Sequence, residues 1–279
     1  MNKRMILYIQ GAILLIESAI MVLPIATALI YRETSGVWFF YTALAAAICG
    51  FAAMKLSRPR TKTIYAKEGL ITVALGWIVL SLVGALPFTL SGEIPFYLDA
   101  VFEMISGFTT TGSSILPNVE ALSRCMLLWR SFSHWLGGMG ILVFMLAIVK
   151  MEGGQGIHLL RAESPGPTVG KMVPRMVDSS KILYTIYFAL TLVQVVFYLA
   201  GGMPLFDSLC NAFATAGTGG FSIKADSFAS YSPYLQTVTT VFMALFGVNF
   251  SIYFFLLQKK FDLAFKNTEL RWYVGIILF

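Results

Sequence analysis

A helix needs about 20 apolar residues to cross the hydrocarbon core of a bilayer. Six stretches of this sequence are built to that measure: Ile6–Ile30, Val37–Met54, Leu70–Leu90, Met126–Val149, Ile182–Ala200 and Leu235–Leu257. A chain so divided is an all-α polytopic membrane protein, because only helices and closed barrels satisfy their backbone polar groups in lipid. Composition agrees: 57% of the residues are hydrophobic and 12% charged, too few charges to cover a soluble protein of 279 residues. The net charge of +6 would point to nucleic acid in a soluble chain. Here the basic residues sit between apolar runs, so membrane lipid is the surrounding medium and no nucleic-acid partner is implied. Cys49, Cys125 and Cys210 lie singly in apolar surroundings and indicate neither a disulfide framework nor a zinc site.

Basic residues also orient the chain. Lys3 and Arg4 precede the first run, and Lys55, Arg58, Arg60, Lys62 and Lys67 crowd the link between the second and third, which places that link and the N-terminus in the cytoplasm. The first run is longer than a signal-peptide core and reads as a retained span. The third span then emerges outside near Ser91, where a segment too short to cross follows: Tyr97–Ile115, YLDAVFEMISGFTTTGSSI. If it dips in and returns to the same side, Met126–Val149 runs inward and delivers Lys150, Arg161, Lys171 and Arg175 to the cytoplasm. A full crossing would turn that basic link outward, so the charges favour re-entry. The pattern repeats after Ile182–Ala200: Leu205–Ile223, LFDSLCNAFATAGTGGFSI, dips, and Leu235–Leu257 brings Lys259, Lys260, Lys266 and Arg271 inside.

The organisation is therefore a twofold repeat of helix, re-entrant pore loop and helix, potassium-channel-like in plan. Residues 1–66 form two leading spans, 67–151 the first pore repeat, 152–177 a cytoplasmic link, 178–260 the second repeat, and 261–279 a link and the start of a third. The closing apolar run WYVGIILF reads as the opening of a further repeat, so the sequence is expected to be one piece of a longer protein.

Non-helical backbone at membrane depth needs a reason to be there, and carbonyls offered to a dehydrating cation supply one. Each half-helix aims the negative end of its dipole at its own loop, while Asp99 and Asp207 sit at the opposite, positive end. Thr110 and Thr111 before Gly112, and Gly217 and Thr218 before Gly219, are the expected carbonyl donors to potassium. The competing reading is that Gly and Thr merely let helices pack closely. Two loops in equivalent positions, each behind an Asp-initiated half-helix, argue against it.

Other polar residues receive plainer readings. Glu17, inside the first span but outside the repeat, is expected to be paired or to face an interface rather than to carry protons. Glu103 and Asn211 occupy matching places in the two half-helices, serving either the outer potential or a buried hydrogen bond. Arg130 and His134 share a helix face and are expected to snorkel or to pack against the re-entrant loop. GPTVGKM, residues 166–172, lacks the spacing and the Ser/Thr of a phosphate-binding loop. No nucleophile, base and acid stand at catalytic spacing, which argues against an enzyme.

Four segments in order carry a family resemblance: FTTTGSS, WRSFSHWLGGMGILVF, GGQGIHLLRAESPGPTVGKMVPR and AFATAGTGGFS. They resemble the TrkH/KtrB potassium transporters over nearly the whole chain. The resemblance implies four such repeats around one pore, a homodimer in the bacterial inner membrane, and a cytoplasmic nucleotide-binding regulatory subunit of the TrkA/KtrA type. By the match, Gly112 and Gly219 take the filter-glycine positions, flanked by Thr109, Ser113 and Gly220. Symport with another cation and channel-like flux both fit this picture. A rival reading is a subunit that transports nothing alone and needs other chains to complete a pore.

Overall fold

The computed structural model describes residues 2–59, 66–140 and 176–279, with side chains from 67 onward in the second segment and from 181 onward in the third. All regular structure among these residues is helical. Residues 60–65 and 141–175 lie outside the described residues, and with them GPTVGKM, the end of the expected span Met126–Val149, and Arg60, Lys62, Lys150, Arg161, Lys171 and Arg175 of the basic residues used for orientation.

The first expected span is present as one apolar stretch of 29 residues, Lys3–Tyr31, interrupted at Met21 into α1 (Lys3–Ile20) and α2 (Val22–Tyr31). Pro24 explains the break: it has no N–H to give and its ring opposes the carbonyl four residues back, Ile20. α3 (Gly36–Leu56) returns alongside α1. Their closest approach is at Gly11 and Gly50, where a methyl on either would stand 2.7 Å from the other's carbonyl oxygen. Small residues let backbones meet this way in lipid. Nearby the Ser18 hydroxyl donates to the Ala43 carbonyl at 2.7 Å.

α4 (Ala66–Leu90) leads to the first half-helix, α5 (Tyr97–Phe108), 12 residues long, then a loop and α6 (Arg124–Met139). The second repeat runs α7 (Met176–Ala200), half-helix α8 (Leu205–Ala216), loop, and α9 (Pro233–Phe246). α8 also has 12 residues. The expected span Leu235–Leu257 is not continuous: α9 ends at Gly247, and α10 (Phe250–Leu257) leaves at 84° to it. Val248 and Asn249 make the corner, where the Asn249 side-chain oxygen accepts from the Ser251 N–H at 3.0 Å and starts the new helix. A hydropathy window sees only an unbroken apolar run there. Short α11 (Phe261–Phe265) and α12 (Thr268–Leu278) follow, α12 being tied back by the Tyr273 hydroxyl to the Ala244 carbonyl at 2.8 Å.

α6 is the axis of the arrangement. Every residue from Cys125 to Leu136 is buried, and both half-helices pack against it. α3 and α7, by contrast, present apolar side chains outward; Ile48, Phe51 and Val196 are each more than 60% exposed. A face like that suits lipid and not water.

Candidate pore-loop site

Each half-helix leaves and returns at one end of the bundle. Glu93, just before α5, accepts from the Ser123 N–H at 2.7 Å, at the start of α6, and also from the Ser35 and Ser123 hydroxyls. Glu33 adds a second clasp at that end, its carboxylate accepting from the Arg124 and Cys125 N–H groups at 2.8 and 2.9 Å. Those amides begin a helix and have no acceptor within it, and the anion also suits the positive helix end. In the second repeat the Tyr234 hydroxyl, at the start of α9, donates to the Phe197 carbonyl at 3.2 Å, near the end of α7.

The two half-helices are copies at a fixed offset of 108 positions. Asp99 and Asp207 lie in their first turns. The Thr110 N–H donates to the Gly107 carbonyl, and the Thr218 N–H to the Thr215 carbonyl. The Ser114 hydroxyl donates to Glu103 at 2.9 Å, and the Ser222 hydroxyl to Asn211 at 3.3 Å. Glu103 and Asn211 thus do the same work, a buried hydrogen bond that clips the far side of the loop.

Backbone torsions keep the offset. Thr110 and Gly112 have φ of 55° and 75°; Thr218 and Gly220 have 59° and 67°. The structural counterpart of Gly112 is therefore Gly220, and that of Thr111 is Gly219, one position from the register in which Gly219 answered Gly112. Gly219 is not among the residues of positive φ. It is glycine for space: a methyl there would lie 2.5 Å from the His134 ring and 2.5 Å from the Thr110 carbonyl oxygen. A Thr at positive φ costs about 1–2 kcal/mol, so both loops hold a strained residue in place by their surroundings.

The loops face one another. A methyl on Gly112 would collide with the Gly219 carbonyl oxygen, and one on Gly219 would come 2.5 Å from the Thr110 carbonyl oxygen, so each loop lays a carbonyl against the backbone of the other. Thr109 and Thr111 share a hydroxyl contact of 2.8 Å, and the Ser113 carbonyl accepts from the Ser106 hydroxyl at 2.5 Å. Gly217 caps α8 and, like Gly219, lies against His134. Thr218 lines a cavity of about 560 Å³ shared with Thr239, Met243, Gly247 and Tyr273.

α6 holds both loops at once. The Arg130 Nε donates to Glu103 Oε1 at 2.5 Å, and one of its terminal nitrogens donates to the Ser222 carbonyl at 2.6 Å. Its guanidinium stands 3.3 Å from the Phe221 ring centre. The remaining Glu103 oxygen accepts from the Ile115 N–H at 3.1 Å. One buried ion pair therefore ties the exit of the first loop to the exit of the second. One turn on, His134 stacks on Phe221 and its Nε2 accepts from the Gly219 N–H at 3.2 Å. Its Nδ1 has no hydrogen-bond partner among the described residues. Both pack against the loops that follow the half-helices, and neither snorkels, since Arg130 is 2% exposed and His134 fully covered. Sequence reasoning put Arg130 and Glu103 in separate roles. Their pairing spans 27 positions and two elements, and opposite charges at buried depths were the signal for it.

Of the two roles expected for Glu17, it takes the interface-facing one and not the paired one. It is buried, and neither carboxyl oxygen has a hydrogen-bond partner among the described residues. It faces inward, toward Gly84 of α4, where a methyl would meet both Glu17 and Met104. Cys125 and Cys210 are buried and free, Cys49 exposed and free, and no group of three His, Cys, Asp or Glu side chains among the described residues is placed to hold a metal ion.

A family model described as "TrkH: Cation transport protein" matches residues 38–269. The Trk system potassium uptake protein TrkH of Salmonella typhimurium is 36% identical over 282 residues, covering all of this chain and 58% of that protein. The Trk system potassium uptake protein TrkG of Escherichia coli is 31% identical over 281 residues, 99% of this chain and 58% of that one. Among solved structures, the potassium transporter TrkH from Vibrio parahaemolyticus aligns with a TM-score of 0.78 at 32% identity, covering 91% of this chain and 52% of its own. The chain spans a little over half the length of the curated relatives it matches.

Proposed function

Because the chain belongs to the TrkH family of cation transport proteins, we propose that it forms part of a pathway for potassium uptake across a membrane. In this reading it supplies two walls of a filter made of backbone carbonyls. The observation that carries this is the matched pair of loops, Thr110–Gly112 and Thr218–Gly220, with the same unusual torsions and with carbonyls of Thr110 and Gly219 laid against the facing loop. Potassium is the transported ion, and the chain does not act as an enzyme. Gly112 and Gly220 are the filter glycines, with Thr110, Thr111, Thr218 and Gly219 as carbonyl donors, Gly217 serving as helix cap, and Thr109 and Ser113 as flanks. Loop re-entry is supported by the Glu93–Ser123 clasp. The proposal extends to the division into leading spans, two repeats and links, an inner-membrane location with the N-terminus in the cytoplasm, a homodimer, and a nucleotide-binding cytoplasmic partner.

Rubidium and sodium uptake by membranes carrying the protein tests the filter. Gly112→Ser and Gly220→Ser each place a side chain at positive φ, and the first also drives it into the Gly219 carbonyl. Each is expected to lower rubidium-over-sodium selectivity at least tenfold. Unchanged rubidium uptake with unchanged sodium exclusion in both variants refutes the filter assignment.

A further inference from the structure

The loops are alike in torsion but not in what holds them. In the first, the Thr111 N–H donates to the Ser106 carbonyl of its own half-helix at 3.0 Å. At the same place in the second, the Gly219 N–H donates to His134 Nε2 at 3.2 Å, on α6 of the other repeat. A helix carbonyl has been replaced by an imidazole, and the side chain that would stand where the imidazole sits has been removed, leaving Gly219.

We infer that His134 is a positioning residue for ion selection, which fixes the direction of the Thr218 carbonyl through the peptide plane that Thr218 shares with Gly219. Within a planar trans peptide the C=O and N–H point in opposite directions. Holding the Gly219 N–H against His134 therefore turns the Thr218 oxygen away from His134. Thr218 is also the strained residue of this loop, at φ 59°, and without a fixed neighbour its backbone is free to relax. An accepting Nε2 requires the ring proton on Nδ1, so the neutral imidazole is the form that performs this task. Stacking on Phe221, which is itself held under Arg130, keeps the ring in plane with its target.

The inference rests on the filter reading, so its test carries that reading as a control. Three substitutions at 134 separate the acceptor from the bulk: Leu has no acceptor, Asn has one set too short to reach, and Gln brings an oxygen to about the position of Nε2. Rubidium and sodium uptake are measured on membranes with matched amounts of protein, beside Gly220→Ser. The expected result is a fivefold to tenfold fall in the rubidium-over-sodium ratio for His134→Leu and His134→Asn, about what one hydrogen bond decides, with His134→Gln within about twofold of the parent. If His134→Leu does not accumulate, the Asn and Gln pair decides alone. A fall in Gly220→Ser with none in His134→Leu or His134→Asn overturns the inference and leaves the filter standing. Equal losses in Gln and Asn overturn it as well, since ring packing then matters and the acceptor does not. No change in any variant, Gly220→Ser included, removes both.

Discussion

Removing one member of the Arg130–Glu103 pair is the severest test of how the site is held. Both side chains are buried, at 2% and 0% exposure, and the pair has five further hydrogen-bond or ring contacts through Ser114, Ile115, Phe221 and Ser222. Taking away one partner leaves the other charge uncompensated in a medium that cannot solvate it, at about 3–5 kcal/mol. Glu103→Gln and Arg130→Met alone are each expected to cost that much. At roughly 2–4 °C per kcal/mol, thermal unfolding followed by tryptophan fluorescence in detergent falls by roughly 6–20 °C for each. Asn211 shows that an amide serves at the Glu103 position once no guanidinium faces it. The double variant should therefore lose clearly less than the sum of the singles, by about 2 kcal/mol or more. Additivity within about 0.5 kcal/mol would mean the two residues act independently and would refute the pairing as the link between the loops.

Three further outcomes are expected. Glu17→Met removes two buried, unpartnered oxygens, each of a kind that costs about 1–3 kcal/mol, and should raise the unfolding temperature while leaving rubidium-over-sodium selectivity unchanged. Gly11→Leu forces α1 off α3 and should lower the unfolding temperature by the equivalent of about 1–3 kcal/mol, whereas Leu7→Ala, at an outward-facing position, should change it by less than about 0.5 kcal/mol. In native membranes a small lipid-permeable maleimide should label Cys49 and spare Cys125 and Cys210 until the protein is denatured, as mass spectrometry of tryptic peptides can read.

How much of this was legible depends on whether the signal was local. Spans are a matter of length and hydropathy, so α3, α4 and α7 fall where the apolar runs place them. The half-helices announce themselves by their shortness, their leading Asp and their Thr/Gly ends. Pro24 was a readable mark of the break near Met21. The corner at Gly247–Asn249 was harder, because a window that averages hydropathy cannot register a cap. The register of the second loop was readable only through the offset of 108 between Asp99 and Asp207, which carries Gly112 to Gly220 and not to Gly219. In AGTGGF three glycines compete for one role, and only distant neighbours, His134 and the Thr110 carbonyl, explain why Gly219 is glycine without being the one at positive φ. Buried pairs such as Arg130 and Glu103 share this difficulty: each side chain is intelligible only once the other stands next to it.

The unequal support of the two loops bears on how a duplicated unit diverges. The first repeat keeps the hydrogen bond for its Thr111 amide within its own half-helix and is self-sufficient in that respect. The second has handed the matching task to its sibling, and it accommodated the intruding imidazole by giving up a side chain at 219. Such an exchange works as a ratchet. Once one copy leans on the other they are no longer interchangeable, and a protein assembled from two second repeats would lack the histidine that its own loop requires. Similarity between the halves then records descent, while the order in which they occur along the chain has become a structural necessity.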